Sequence, residues 1–388
     1  MKELKSMAVV CNDFPSEGRA TYVFVEQLVN ALVDLGIEVK VIALQSFMRI
    51  VSRRDKRLPK QSVANTKLGN KYEVYRPIGL SLGDYLGFLD ALLLKYNSHK
   101  VAAILKRIKV DAIYCHFWEN VCKIQKYAIQ NNFPVFVACG EGDDALENLM
   151  ESIPEDKKSE LVKCVKGVIS VSSENRKKCI DYQLAAQEDI TVQPNCADTS
   201  IFHQRDVKEM KEKLGIGEND FTIAFVGGFI PRKGPDRVAK AISALKDEHI
   251  KVMFIGKPFA GYDYDFDCPG IIHKGPANHD DIPIMLNCAD VFVLPTEKEG
   301  CCNAIVEALA CGLPVISSDG PFNDDILDTK NSIRIDPDNV DALNEAIAYL
   351  RDNPNICQKM RETSLSRHEQ YSIEGRAERI KSFIEKKL

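Results

Sequence analysis

Short apolar runs alternate with longer segments of helical periodicity along the whole chain. In the first half the apolar runs read MAVVCN, EVKVIAL, VDAIYCHF, FPVFVACG and GVISVS. Between the first two, TYVFVEQLVNALVDLG has apolar residues at helical spacing and ends at Gly36, and further helices are predicted from about 86 to 108 and near 155 to 165. Such alternation predicts βαβ units and a parallel sheet with helices on both faces.

The pattern restarts after ITVQPNCADTSIFHQRD, with FTIAFVGG, IKVMFIG, GIIHKG, ADVFVLPT and LPVISS. A chain of 388 residues exceeds what one core usually spans. We therefore predict an α/β protein of two doubly wound domains, 1–195 and 196–371, which join near 194–205. The final stretch, YSIEGRAERIKSFIEKKL, predicts an amphipathic helix over about 372–388.

Composition is typical of a soluble globular protein, with 45% apolar and 28% charged residues. No apolar run approaches the roughly 20 residues of a membrane-spanning helix, and the first residues do not form a signal peptide. Thirteen cysteines, an odd number without metal-ligand spacing, favour reduced thiols. These features predict a cytoplasmic protein.

Charge is distributed unevenly. Residues 1–110 hold 18 Lys/Arg against 10 Asp/Glu, a net charge of +8, whereas the whole chain carries −5 and the remainder therefore −13. Much of the basic excess lies in 49–71. This stretch is either a solvated loop or a patch for an anionic membrane surface or a pyrophosphate-bearing lipid. A nucleic-acid partner is not expected, because the chain is acidic overall and has no reader motif.

Ligands of open parallel sheets bind beyond the carboxyl ends of the strands, so the loops after strands are the informative ones. FVGGFIPRKGPDRVAKAI, at 225–242, combines Gly227 and Gly228 with Arg232 and Lys233 just before a helix. Glycines let the backbone approach a ligand, and a helix N-terminus favours anions. The loop suits a diphosphate; the alternative is an ordinary surface basic pair.

A second such loop is EKEGCCNAIVEALACGLPVISS, at 297–318. The pattern predicts Asn303 as an N-cap, a helix over 304–311 and a stop at Gly312. Glu299 then lies in the loop and Glu307 one turn inside the helix, with the amides of 300–305 facing the same ligand. Hydroxyl-binding carboxylates beside phosphate-binding amides suit a nucleoside diphosphate-sugar. Alternatively, Glu299 is a solvated loop residue, and Glu307 favours the helix dipole or pairs with a core arginine.

Three segments, in order, resemble motifs of the retaining glycosyltransferases of family 4, which have the GT-B fold. EGCCNAIVE followed by ALACGLPVISS is similar to their donor-site signature with two glutamates eight positions apart, while PNCADTSIF and DAIYCHFWE resemble flanking motifs. The resemblance covers most of the chain. It implies two Rossmann-like domains that face each other across a cleft, with the last helix packed back on the first domain and hinges near 195 and 371.

For the donor, the resemblance implies that Glu307 binds the ribose hydroxyls and that Glu299 contacts the transferred sugar. Lys233, helped by Arg232, would neutralise the diphosphate as it leaves. The donor-binding residues that remain are backbone positions: Gly227, Gly228, Gly300, Cys301, Cys302 and Asn303. The family often has Gly-Arg where this chain has two glycines, and Arg232 is expected to take that arginine's place.

In the first domain, the resemblance places His116 near the anomeric centre, where it assists orientation or charge; the alternative is a satisfied core histidine. Gly18 and Arg19 stand in the family's first loop, and either could approach the phosphates. Glu141 occupies the position of a family histidine, and Glu141 and Asp144 are candidates for contact with the acceptor or the donor sugar.

The predicted function is transfer of a hexosyl group, with retention, from a nucleoside diphosphate-sugar to a glycan or polyprenyl-diphosphate-linked acceptor in cell-surface polysaccharide synthesis. No metal or cofactor is expected, because the DYDFD stretch at 263–267 is interpreted as a surface loop. Peripheral contact with the inner face of the plasma membrane is possible through the basic stretch. Two alternatives stay open: another GT-B enzyme, such as a nucleotide-sugar epimerase or soluble disaccharide synthase, and a non-catalytic sugar-nucleotide-binding module.

Overall fold

The chain folds into two α/β units. A computed structural model describes residues 2–16, 21–80, 87–142, 144–258, 264–278 and 280–388, with only the backbone described at 87–91, 155 and 156. Backbone contacts divide the chain into one unit of Met1–Gln193 with Arg376–Leu388 and a second of Pro194–Gly375. The predicted boundaries at 195 and 371 lie within a few residues of these divisions.

The first unit is built on a sheet in the order β10-β9-β8-β7-β1-β2-β5-β4, all parallel except the final β5–β4 pair. Its strands are β1 (Ser6–Cys11), β2 (Glu38–Ala43), β4 (Gln61–Asn65), β5 (Lys71–Tyr75), β7 (Ala112–His116), β8 (Val135–Cys139), β9 (Val165–Ser170) and β10 (Ile190–Val192), and β3 (Gln45–Ser46) pairs with β6 (Ile78–Gly79) separately. The central strands β1, β7 and β8 are buried at nearly every position, as expected of a parallel sheet with helices on both faces.

Seven helices of this unit lie among these strands. They are α1 (Val23–Asp34), α2 (Phe47–Val51), α3 (Gly87–Leu105), α4 (Trp118–Gln130), α5 (Ala145–Ser152), α6 (Glu155–Val162) and α7 (Ser173–Asp181). The helix predicted near 155–165 is confirmed as α6, which ends at Val162, and a separate helix, α5, precedes it. Residues 49–71 are not a loop throughout, since they include the end of α2 and the edge strand β4.

The second unit contains a fully parallel sheet in the order β13-β12-β11-β14-β15-β16. Its strands are β11 (Phe221–Val226), β12 (Ile250–Ile255), β13 (Ile271–Gly275), β14 (Val291–Leu294), β15 (Val315–Ser318) and β16 (Ser332–Ile335). Its helices are α8 (Lys208–Lys213), α9 (Pro235–Leu245), α10 (Ile282–Cys288), α11 (Asn303–Ala310), α12 (Val340–Asp352) and α13 (Pro354–Ser366). The strand order reverses between β11 and β14, as in a doubly wound nucleotide-binding sheet.

The chain returns to the first unit through the last helix, α14 (Ile373–Lys387). The Phe383 ring packs edge-on against Phe136 of β8, with ring centroids 6.3 Å apart. A side chain at Gly167 would collide with Phe383, since a Cβ there would lie 2.7 Å from the ring. The Leu4 amide donates a hydrogen bond to the Glu385 carboxylate at 3.0 Å, so α14 is also attached to the residues just before β1. Among the described helices, none combines the length and apolarity needed to cross a bilayer.

Gly256 fixes the approach of two loops at the edge of the second sheet. Its φ is +157°, and a Cβ there would lie 1.8 Å from the Gly227 carbonyl oxygen. Gly275 has a similar φ of +155° but nothing within 4 Å of the corresponding position. The two glycines therefore carry similar backbone restriction and differ in the space around them.

We expect Gly256→Ala to be more destabilising than Gly275→Ala. Both substitutions incur backbone strain of about 1–3 kcal/mol, and the clash at 256 adds about 1–3 kcal/mol more. Urea denaturation of the two variants and the wild type measures the difference in the free energy of unfolding. Equal losses of unfolding free energy at the two positions would show that the loop at Gly227 moves aside with no loss of stability.

Candidate active site

The candidate site of the second unit lies at the point where the strand order reverses. Strands β11 and β14 are adjacent and parallel, so the loops 227–234 and 295–302 leave the same edge of the sheet. All the residues predicted for the donor follow one of these two strands. The topology therefore brings together residues that are about 70 positions apart in the sequence.

The first loop is shaped by glycine. Residues Pro231–Lys233 form a turn of 3-10 helix, and Gly234 then takes a left-handed conformation with φ of +69° before α9 begins at Pro235. A Cβ at Gly234 would lie 2.5 Å from the guanidinium of Arg237. Only glycine fits this position without displacing that side chain, and the turn sets the direction of Arg232 and Lys233.

Glu299 joins the two loops. One of its carboxylate oxygens accepts hydrogen bonds from Lys233 Nζ, from Arg232 at 3.1 Å and from the Thr296 hydroxyl at 2.6 Å. The Glu299 side chain is only 13% exposed and that of Lys233 14%, so this ion pair is largely shielded from water. The alternative that Glu299 is a solvated loop residue is therefore wrong.

The charges around Lys233 determine its protonation. Burial acts to lower the pKa of Lys233, but the acidic groups of Cys302 and Glu299 outweigh it, and the pKa is raised above its ordinary value. Lys233 is therefore a permanent cation at neutral pH. Arg232 adds a second positive charge on the same turn, and its guanidinium also donates to the Lys298 carbonyl.

Glu307 differs from Glu299 because none of the described cations faces it. It lies on α11, which begins at Asn303 with Cys302 as its N-cap, one residue earlier than predicted, because Cys302 already has an extended backbone. Among the described residues, none donates a hydrogen bond to the Glu307 carboxylate. Although part of the side chain stays accessible, burial raises its pKa from 4.5 to about 8. The predicted pairing with a core arginine is absent from the described residues.

The loop after β14 is held by contacts from a segment that precedes β11. The N-cap residue of α11, Cys302, makes no side-chain capping hydrogen bond, and an approach of the 300–305 amides to a ligand stays a prediction. Asn195 secures the loop from another segment, because its side chain donates to the Cys301 carbonyl at 3.0 Å and its amide lies 3.4 Å from the Cys301 sulfur. Gly300, Cys301 and Cys302 are all buried.

Arg237 was missed from the sequence. Its guanidinium, 11% exposed, donates to the Pro295 carbonyl at 2.7 Å, to Glu297 at 2.7 Å and to the Arg232 carbonyl at 3.3 Å. The Arg237 side chain thus links the turn that contains Arg232 and Lys233, named here the cationic turn, to the loop that carries Glu299. The available signal was its position on the apolar face of α9, since Val238, Ala241 and Ile242 beside it are buried.

A surface cavity of about 420 Å³ opens at the carboxyl ends of β11, β12 and β13. Its lining combines apolar walls with two lysines, and consists of Phe229, Gly256, Lys257, Pro258, Tyr264, Asp265, Lys274, Gly275 and Pro276. Asp265 of the DYDFD stretch is 91% exposed and pairs with Lys274 at 2.9 Å, whereas Asp263 lies outside the described residues.

In the first unit, His116 occupies the equivalent reversal point. It ends β7, next to β1, where the order of that sheet reverses. The ring is 6% exposed and lies against Phe24 and Phe117, with centroids 5.3 and 4.4 Å away. Burial, with a smaller effect of Arg376, lowers the His116 pKa to about 3, so the imidazole is neutral. Its Nδ1 has no hydrogen-bond partner among the described residues.

The turn after His116 is strained and is held by Glu141. Phe117 has φ of +83°, a conformation that side chains rarely adopt. The Glu141 carboxylate accepts from the Trp118 amide at 2.9 Å and from the Gly140 amide at 2.9 Å, which holds the start of α4. Burial raises the Glu141 pKa, although these amides oppose the shift. Both oxygens are thus engaged by backbone, and contact with a sugar stays a prediction.

The other predicted residues of this unit are less informative. Asp144 is exposed at the N-cap position of α5 and makes no capping hydrogen bond there. Gly18 and Arg19 lie outside the described residues.

Residues 206–367 match the family described as Glycosyl transferases group 1. This segment carries the cationic turn, Glu299 and Glu307. The second unit of this chain thus resembles the glycosyl transferases group 1.

Two curated relatives extend the similarity. The chain is 29% identical over 213 residues to the UDP-Gal:alpha-D-GlcNAc-diphosphoundecaprenol alpha-1,3-galactosyltransferase of Escherichia coli, covering 51% of this chain and 54% of that enzyme. It is 24% identical over 341 residues to TuaC of Bacillus subtilis, a putative teichuronic acid biosynthesis glycosyltransferase, covering 86% and 84% of the two chains. The alignment thus spans about half of the first relative and most of the second.

A solved structure shares the fold over nearly the whole chain. The sucrose-phosphate synthase of Thermosynechococcus elongatus superposes with a TM-score of 0.75 at 16% identity, and the match covers 98% of each chain. This similarity establishes the GT-B fold predicted from the sequence.

We expect Arg237→Met to lower the free energy of unfolding by about 1–3 kcal/mol, because the buried Pro295 carbonyl loses its donor. The Arg232 turn also loses its link to the second loop. Lys240→Met on the same helix is the matched control, since Lys240 is 65% exposed and pairs only across the surface with Asp236; its effect should stay within about 0.5 kcal/mol. Thermal denaturation measures both. Similar losses of unfolding free energy in the two variants would argue against a linking role for Arg237.

Proposed function

We propose that this protein transfers a hexosyl group from a nucleoside diphosphate-sugar, with retention at the anomeric carbon, as members of glycosyltransferase family 4 do. One observation carries the proposal: the two loops at the reversal point of the second sheet carry two cations and two carboxylates, and the two carboxylates have different surroundings. Lys233 and Arg232 are held by Glu299, while Glu307 has no cation beside it among the residues that the structure describes. A ligand with both a diphosphate and hydroxyl groups satisfies both features.

The diphosphate binds Lys233 and Arg232 in this proposal. In the ligand-free protein, Glu299 supplies the negative charge that these cations require. When the diphosphate arrives, it replaces that charge, and the Glu299 carboxylate becomes available to accept hydrogen bonds from the hydroxyls of the transferred sugar. The two roles predicted for Glu299 and Lys233 are thereby linked through one exchange of partners.

Glu307 binds the ribose. A carboxylate that accepts hydrogen bonds from two ribose hydroxyls gains partners that the protein itself does not provide. The base then has room in the cavity of about 420 Å³ beside β11, β12 and β13, whose apolar walls suit a planar ring.

Breaking the bond between sugar and diphosphate builds negative charge on the leaving phosphate. Fixed cations aimed at that charge usually supply the largest catalytic effect. Lys233 and Arg232 supply it here without a metal ion or cofactor. His116, which is neutral, remains a predicted contact near the anomeric centre.

The acceptor is proposed from the relatives. The Escherichia coli enzyme acts on a diphosphoundecaprenol-linked sugar, and the Bacillus subtilis protein is named for teichuronic acid biosynthesis. We therefore assign a glycan or polyprenyl-diphosphate-linked acceptor and a role in cell-surface polysaccharide synthesis, with acceptor binding in the first unit. A lipid-linked acceptor brings the protein to the cytoplasmic face of the membrane as a peripheral protein.

Nucleotide binding should release a proton through Glu307. With a pKa of about 8, its carboxyl is mostly protonated at pH 7, whereas the ribose-bound form is the carboxylate. Calorimetric titration with UDP, GDP and ADP at pH 7, in two buffers of different ionisation enthalpy, counts the protons released. We expect Glu307→Gln to abolish this release and to weaken binding about 10–100-fold, while Glu248→Gln on the exposed surface changes neither.

The same group makes stability depend on pH. Because the folded-state pKa of Glu307 lies above its ordinary value of 4.5, the folded protein binds more protons than the unfolded chain between pH 4.5 and about 8. Stability from this group is complete below that range and is lost as the pH rises through it. Urea denaturation at pH 5 and pH 8 should show a smaller difference for Glu307→Gln than for the wild type. Identical differences would mean that Glu307 is not buried as described.

Transfer should persist in a chelator. Because fixed cations neutralise the leaving group, excess EDTA is expected to leave the rate of nucleoside diphosphate release unchanged. Addition of Mg²⁺ or Mn²⁺ to the chelated enzyme serves as the control. Loss of activity in EDTA with recovery on adding either ion would contradict the metal-free mechanism.

The two alternatives are separated by products. An epimerase gives a free epimerised sugar product and needs no acceptor, and a soluble disaccharide synthase uses a soluble sugar acceptor. A binding module without catalysis binds the donor but does not turn it over. Glu299→Ala that retains full donor turnover would argue against the proposed contact between Glu299 and the transferred sugar.

A further inference from the structure

The stretch that follows β3 in the first unit combines positive charge with exposed apolar side chains. Residues 47–71, named here the 47–71 segment, contain eight Lys or Arg residues and a single acidic residue, Asp55, in a chain whose net charge is −5. All eight basic residues are exposed. Asp55 is paired with Arg49 at 2.8 Å, and the net charge of the segment is +7.

Five exposed large apolar residues lie in the same segment. Phe47, Met48 and Val51 of α2 are 43%, 45% and 60% exposed, and Val63 and Leu68 are 60% and 76% exposed. They make up nearly half of the eleven exposed large apolar side chains in the described part of the chain. Such a concentration within 25 residues is unusual for the surface of a soluble protein.

The backbone of the 47–71 segment is ordered by the fold. The Gln45 side chain donates to the Leu58 carbonyl at 3.1 Å and accepts from the Leu58 amide at 2.7 Å, which closes the turn that contains α2. The Arg76 side chain donates to the Ser62 hydroxyl at 2.7 Å, and β4 pairs with β5 at the outer edge of the sheet. The apolar side chains are therefore presented on fixed backbone rather than on an unstructured loop.

We propose that the 47–71 segment binds the surface of an anionic lipid bilayer, with Phe47, Met48 and Val51 entering the headgroup region and the basic residues contacting the lipid phosphates. The assignment deepens the proposed function, because it names the surface through which an enzyme with a lipid-linked acceptor reaches the membrane. Apolar residues on one short helix, flanked by Lys and Arg, are the combination that interfacial segments use.

The apolar residues favour a bilayer over a nucleic acid. A nucleic-acid surface needs basic residues to neutralise phosphates, but it gives no reason to expose Phe47, Met48 and Val51 together on one helix. A bilayer binds both the apolar and the basic residues, since it buries apolar side chains and attracts cations to its surface.

Vesicle co-sedimentation of the whole protein tests the proposal without donor or acceptor. We expect binding to vesicles of 30% phosphatidylglycerol in phosphatidylcholine, weakening as salt rises, and little binding to pure phosphatidylcholine. The quadruple variant Arg53→Gln, Arg54→Gln, Lys56→Gln, Arg57→Gln should bind at least about 100-fold more weakly, at about fivefold per charge. The variant Phe47→Ser, Met48→Ser, Val51→Ser should lose about tenfold or more.

Matched controls remove equal charge or equal apolar surface elsewhere. The set Lys106→Gln, Arg107→Gln, Lys109→Gln and Lys126→Gln also removes four exposed positive charges, and the set Ile129→Ser, Ile180→Ser and Tyr349→Ser removes three exposed apolar side chains. Both should bind the vesicles as the wild type does. Circular dichroism and thermal unfolding check that every variant is folded, and calorimetric titration with UDP, GDP and ADP tests the donor site separately, so failure of vesicle binding is distinct from failure of the proposed transfer.

Three outcomes would overturn the assignment. The first is equal binding to neutral and anionic vesicles, and the second is an equal loss in the control charge set, which would mean that only net charge matters. The third is retention of vesicle binding by the serine variant together with tight binding of the wild type to a single-stranded oligonucleotide, which would identify a polyanion site instead of a bilayer site.

Discussion

The adjacency of two parallel strands is the constraint on which the candidate site depends. Because β11 and β14 lie side by side and point the same way, their following loops meet, and the charge on one loop requires the opposite charge on the other. The ion pair between Lys233 and Glu299 is the result. Burying either charge alone would be costly, so each side chain stabilises the position of the other.

The two glutamates of the donor loop illustrate how one sequence motif gives two electrostatic environments. Glu299 lies among cations and a hydroxyl donor, whereas Glu307, eight residues later on α11, is half-buried and has no cation beside it in the described part of the chain. A protein gains nothing in stability by burying an unpaired carboxyl, and such groups are concentrated at functional sites. The contrast between the two is a stronger indication of a ligand than either residue alone.

Much of this arrangement could be predicted from the sequence, because apolar periodicity identifies strands and a parallel sheet fixes where their loops meet. The GT-B fold was predicted and confirmed, and Glu299 does meet Lys233 and Arg232. Local geometry was harder to predict. Whether Cys302 or Asn303 is the N-cap of α11 depends on the local backbone angles, since Cys302 already has an extended backbone.

Other features were hidden because their causes are distant in sequence. The hydrogen bond from Arg237 to the Pro295 carbonyl could not be predicted, because the two residues are 58 positions apart in the sequence. The edge strand β4 has too weak an alternation to separate it from a charged loop, and only its pairing with β5 defines it. The edge of a sheet is where sequence pattern carries the least information, since only one side of the strand is paired.

The position of α14 affects how the chain folds during synthesis. The second unit is contiguous, so all of its strands exist once residue 375 has been synthesised. The first unit, in contrast, includes Leu4 and Glu385, which are 381 positions apart. Its sheet therefore stays without its last covering helix during nearly the whole of translation, and the apolar face around Phe136 remains open to chaperones until the end of the chain emerges.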